Sequence, residues 1–197
     1  NYSQARPKVL QSVHPPAPCA DVRKVSQPMF RDMRRKKQLL SEAETIEILQ
    51  TGTSGVLAVM GDEDYPYAVP LSYAYKDGKL YFHFATEGHK LDGIRKNSKV
   101  SFCVIQADAV VPHAFTTHYR SVVVFGQARL LTEDSEKKYA LQCLVEKYSP
   151  AFAAEGDVEI EREWKQVCAA EVQIEHMTGK AAIEIITQNR PSDGPHE

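Results

Sequence analysis

With 197 residues the chain can bury one sizeable core, while two full domains would be cramped. Its 24 Lys and Arg stand against 26 Asp and Glu, a formal charge of -2, which argues against nucleic acid because phosphate binders carry a positive excess. No apolar run nears the roughly 20 residues that cross a bilayer, and the first 28 residues hold no apolar signal-peptide stretch, so neither a membrane partner nor export is expected.

Residues 1–28 are proline-rich without apolar periodicity and read as an extended arm or tail, with Met29 resembling a natural start. The basic cluster Arg31, Arg34, Arg35, Lys36 and Lys37 reads as a solvated lead-in. A short helix is predicted from Ser41, which can cap it in a box with Glu44, with Ile46 and Leu49 inward and Gly52 at its end. Strands 53–60 and 66–75 form a hairpin around Gly61-Asp62-Glu63-Asp64. After the Asp77-Gly78 turn, strand 79–85 alternates Leu80, Phe82 and Phe84 with Tyr81, His83 and Ala85.

A helix over about 88–96 comes next, with Leu91 and Ile94 inward, then a strand at 99–106 and a loop at 107–115. A long strand runs from about Thr116 to Leu131, and its Val122-Val123-Val124-Phe125 run is expected to be buried on both faces. Helix 134–148 is amphipathic through Tyr139, Leu141, Leu144, Val145 and Tyr148. A short helix near 157–165 carries Trp164, two strands at about 167–176 and 180–187 follow, and the last ten residues read as a tail. Six or seven hairpin-linked strands with small helices predict an antiparallel barrel with α-helical additions.

Two segments could carry chemistry. Thr86-Glu87-Gly88-His89-Lys90 opens a helix, where unsatisfied N–H groups and polar side chains suit a phosphate; a plainly capped helix with exposed polar residues is the alternative. Pro70, inside Ala68-Val69-Pro70-Leu71-Ser72-Tyr73, marks an edge or bulge whose freed backbone could address a flat ring, or simply an edge strand. His83 suits either a pocket or the interior. His113 and His118 lack the carboxylates or thiols of a zinc site, and Cys19, Cys103, Cys143 and Cys168 are spaced as free thiols in a reducing cytosol. Nucleophile-elbow, P-loop and dinucleotide glycine motifs are absent from the sequence.

Several segments share one order: Met29-Phe30-Arg31, Gly55-Val56-Leu57-Ala58, Tyr65-Pro66-Tyr67-Ala68-Val69-Pro70, Asp77-Gly78-Lys79-Leu80-Tyr81-Phe82-His83, Gly88-His89-Lys90-Leu91-Asp92, Ser101-Phe102-Cys103-Val104 and Tyr119-Arg120-Ser121-Val122. This order resembles the 5-nitroimidazole-resistance branch of the pyridoxamine-phosphate-oxidase-like flavin split barrels, over about residues 29–187. The resemblance implies a six-stranded split barrel in a cytoplasmic homodimer, with FMN, or in some relatives FAD, at the subunit interface. By position, Val69, Pro70, Leu71 and Ser72 would lie along the isoalloxazine ring, with Phe82, His83 and Phe84 flanking it. Thr86, His89 and Lys90 would hold the phosphate, and Arg120 and Ser121 would approach from a neighbouring strand or the other subunit.

The implied reaction is reduction of a nitro group or another small electrophile, with the flavin supplying the chemistry and His83 as proton donor. The competing reading is a non-catalytic split barrel holding flavin, haem or a deazaflavin, where haem would take His83, His89, His113 or His118 as axial ligand.

Overall fold

Helix α1 (Glu42–Thr51) is set by local chemistry. Ser41 Oγ accepts from the Glu44 N–H at 3.3 Å, and the Glu44 carboxylate accepts from the Ser41 N–H at 2.8 Å, so the expected capping box forms. The buried stripe is Thr45, Ile48 and Leu49; Ile46, expected inward, is only half-buried, because positions 45, 48 and 49 share the sheet-facing side. A computed structural model describes residues 29–189, and Asp32 onward forms one unit. The expected arm at 1–28 and all but the first two residues of the expected tail at 188–197 lie outside the described residues; 188 and 189 end the last helix.

Seven antiparallel strands follow: β1 (Gly55–Met60), β2 (Pro66–Leu71), β3 (Ala74–Lys76), β4 (Lys79–Ala85), β5 (Lys99–Val111), β6 (Thr116–Leu130) and β7 (Val167–Ala181). Their order in the single sheet is β2-β1-β5-β6-β7-β4-β3. Between them lie α2 (His89–Lys96), α3 (Asp134–Tyr148) and α4 (Ala153–Glu163), with α5 (Ile183–Asn189) last. The Asp77-Gly78 turn has φ of 49° and 76°, the doubly positive pair that matches strand twist in a tight hairpin. β4 and β5 are separated by two strands, yet Phe82 and Phe102 meet at 5.3 Å and Tyr73 and Phe102 at 4.8 Å. Side chains that far apart in the sheet touch only because it curls onto itself, into a split barrel left open between its edges. Leu57, Leu80, Val104, Val122, Val124 and Val172 complete the interior.

Four expectations are corrected. Strand 66–75 breaks at Ser72-Tyr73, so that β2 pairs with β1 while β3 pairs with β4. The Tyr148 hydroxyl holds this break: it accepts from the Tyr73 N–H at 2.9 Å and donates to the Thr53 carbonyl at 2.7 Å, with the Tyr73 carbonyl also within reach at 2.9 Å. The loop at 107–115 is mostly strand, since β5 runs to Val111 past a bulge at Ile105/Ala107 and only a turn at Pro112–Phe115 remains. The last two strands are instead one strand, β7, followed by α5. Gly179 sits mid-strand, where a Cβ would overlap Thr45 Oγ1 and come within 3.0 Å of Leu40 Cβ, so its lack of one lets α1 lie directly on the sheet. Finally, α4 starts at Ala153 rather than near 157.

A second, smaller core lies outside the barrel, where α3 and α4 cover β3, β4 and β7 through Tyr81, Leu131, Ala140, Leu141, Leu144, Ile160 and Ala169. Beside it the buried Glu171 carboxylate is matched by Lys79 at 3.0 Å and Arg129 at 2.9 Å, and Arg129 also grips Glu136 of α3. Paired and hydrogen-bonded, this buried charge is tolerated and ties helix to sheet. Among the described residues, no helix covers the remaining outer face, on β2, β1, β5 and β6. Val123 and Phe125, expected to be buried on both faces, are here 37% and 40% exposed, while Val122 and Val124 are fully buried.

Replacing Tyr148 with Phe should cost about 1–3 kcal/mol, the penalty for stranding the buried Tyr73 N–H. Thermal unfolding would measure the loss, and hydrogen exchange should show the Tyr73 amide opening ahead of its neighbours.

Candidate functional site

The start of α2 follows directly from β4. Gly88 is its N-cap at φ 132°, a conformation closed to ordinary side chains, and its carbonyl accepts from the Leu91 N–H at 2.9 Å. Thr86 therefore does not cap the helix and stays exposed. Lys90 Nζ lies 5.3 Å from the centre of the Phe84 ring. His89 turns the other way: its Nε2 accepts from the Asp62 N–H at 3.2 Å and its ring stacks on Tyr67 at 4.1 Å. His89 thus braces the β1–β2 turn, leaving Lys90 and Thr86 as the groups of this corner not used by that turn.

The pleat divides the β2 segment. Val69 and Leu71 pack on the barrel core, whereas Pro70 and Ser72 are exposed on the outer side. Phe82 and Phe84 point into the core at 0% and 4% exposure. Across β2, β1, β5 and β6, the register aligns Ala68, Ala58, Ser101 and Phe125 in one row and Pro70, Val56, Cys103 and Val123 in the next. The β2–β1–β5 part of these rows holds mostly small side chains, a flat shelf that suits a planar ring. Ser121 shares that face, opposite Ile105. Arg120 does not: its guanidinium bonds Gln106 at 2.9 Å and Glu47 of α1 at 3.1 Å, and only 16% of the side chain is exposed. Sequence placed Arg120 at a ligand; the structure uses it to fasten α1 to the sheet.

His83 opens onto a cleft of about 500 Å³ between β4, α3 and α4, floored by Leu141, Leu144 and Ile160. Burial, and secondarily the nearby Lys90 charge, push its pKa below the ordinary histidine value. A second cleft, about 530 Å³, lies between α1, β3 and α3. Lys147 lines it, with Nζ 3.7 Å from the Tyr73 ring centre and 3.3 Å from the Leu49 carbonyl, and burial brings this amine down to about 8. Sequence reasoning missed Lys147, since its partners Leu49 and Tyr73 lie far away in the chain.

Below the unfolded value near 6.5, the unfolded chain takes up a proton at position 83 more readily than the folded one, so acid should cost stability there. A proton-NMR titration of His83 should give a midpoint under 6.5. Lys90→Gln should raise that midpoint without restoring it, because burial is the larger cause.

The family described as pyridoxamine 5'-phosphate oxidase matches residues 41–181. An FAD-binding protein from Mesorhizobium loti is 27% identical, with a TM-score of 0.56 over 74% of this chain and 97% of its own. A 5-nitroimidazole antibiotic resistance protein from Bacteroides thetaiotaomicron, described as such only by assignment, shares the fold at 20% identity, with a TM-score of 0.61 over 73% of this chain and 86% of its own. An uncharacterized Rhizobium meliloti protein is 33% identical over 90 residues, 46% of this chain; the chain spans about half the length of that curated relative, 54%. With the matched segment running from the α1 cap to the end of β7, and the barrel shared with these structures, the chain belongs to the pyridoxamine 5'-phosphate oxidase family.

Proposed function

We propose that this protein is a cytoplasmic flavin-dependent oxidoreductase that works as a homodimer, with FMN held between the two copies. One observation carries the reading: among the described residues, half of the sheet's outer face is left without a helix and exposes Val56, Ile105 and Val123 beside a shelf of small residues. An apolar surface of this kind calls for a partner, and an identical copy offers the same surface in return. The isoalloxazine ring would lie along the shelf against Pro70 and Ser72, with the backbone of Val69 and Leu71 behind them and Ser121 at its margin. Lys90 and Thr86 would receive the phosphate, with His89 stiffening the turn beside them. The flavin supplies electron transfer, and the protein supplies position and exclusion of water. Nitro compounds and other small electrophiles are the proposed acceptors, by likeness to the resistance protein. FAD is the alternative flavin, by likeness to the Mesorhizobium loti protein.

Mass spectrometry of the ligand released from freshly purified protein should find FMN; haem, a deazaflavin or nothing would overturn the assignment. Sedimentation should give a dimer. Val123→Glu, which sets an unpaired carboxylate in the apolar face, should yield monomers that lose the flavin. Lys90→Ala should weaken flavin binding by about tenfold or more while leaving the dimer intact, the size expected for a lost charge-assisted phosphate contact.

A further inference from the structure

The cleft beside His83 is a separate feature. It lies under α3 and α4, and neither Pro70, Ser72 nor Ser121 lines it. Its volume of about 500 Å³ falls in the range of small-molecule sites. Its floor is aliphatic, from Leu141, Leu144 and Ile160, and Phe152 stands at its border 61% exposed. One wall is a stripe of α4 in which Glu155, Glu159 and Glu163 recur every four residues and so share a side of the helix. Arg162 pairs with Glu159 and Glu163, but these pairs are exposed and weakly held, and its one guanidinium is set against two of the three carboxylates. The opposite wall offers no compensating cation among its lining groups. No lysine or arginine among the described residues lines the cleft, and Lys90 is turned over Phe84.

We propose that this cleft binds a small amphipathic cation, an amine carried on an aromatic or branched apolar body, with the body on the Leu141–Leu144–Ile160 floor and the ammonium toward Glu155, Glu159 and Glu163. An apolar floor without a matching charge would accept any hydrophobic molecule; the acidic wall selects among them by sign. The site stands whether or not the flavin reading does, because no group of the proposed flavin shelf takes part.

The test uses the full chain and three matched probes: 3,3-diphenylpropylamine, 3,3-diphenylpropanol and 3,3-diphenylpropanoate, titrated by calorimetry. The amine should bind at least about tenfold tighter than the propanoate, with the alcohol between them. The exposed triple change Glu155→Gln, Glu159→Gln, Glu163→Gln should weaken the amine by about tenfold and leave the alcohol unmoved. Nuclear Overhauser contacts should join the phenyl protons to the Leu141 and Leu144 methyls. Equal binding of amine and propanoate, an amine affinity indifferent to the triple change, contacts elsewhere, or no binding at all would each overturn the proposal.

Discussion

A single sheet can enclose a core only if its ends come round toward each other, and here that depends on the crossing at Ser72-Tyr73. The chain leaves β2 at one edge and re-enters as β3 at the other, so the backbone there has no strand partner. Tyr148 supplies one, its hydroxyl meeting the N–H of Tyr73 and the carbonyl of Thr53. The helix that covers the outside of the sheet thus also secures the crossing that shapes its inside. Tyr73 itself is fully buried, against Phe102 on one side and under the Lys147 ammonium on the other.

From that curvature follows a division of labour on the outer surface. Where α3 and α4 lie, the sheet gains a second core and a cleft, and the buried Glu171 is neutralised by Lys79 and Arg129. On the other half the strands keep their apolar residues in the open. The two halves therefore offer different chemistry: an aliphatic floor with an acidic wall on one side, a flat shelf of small residues on the other. Within the described residues no helix is long and apolar enough to span a membrane.

What the sequence disclosed was what local chemistry decides. Ser41 and Glu44 announce the helix start because both partners of the cap lie within three residues. Asp77-Gly78 announces a hairpin because two positive φ angles need those residue types. The alternation of Leu80, Phe82 and Phe84 told that they share a face, but not that this face is the interior. The break expected between two final strands does not occur: Gly179 lies within β7, and its missing side chain makes room for Thr45, more than a hundred residues away. Arg120 likewise has its partners on α1 and β5, which no window around position 120 contains. The family resemblance carried the barrel and its membership correctly, yet it could not tell which side of the pleat each residue occupies.

Strand β6 is held unevenly along its length. From Arg120 to Gln127 it is flanked by both β5 and β7, whereas Thr116, Thr117 and His118 pair, among the described residues, with β5 alone, in a ribbon ending at a Phe115 that is 98% exposed. Two strands without a third are only marginally stable in water. The tip can therefore open and reclose while the rest of the barrel stays shut, and a protease nick between Pro112 and Phe115 would leave the fold standing. The longest strand pair of the protein is at once its firmest seam and the place where fraying starts.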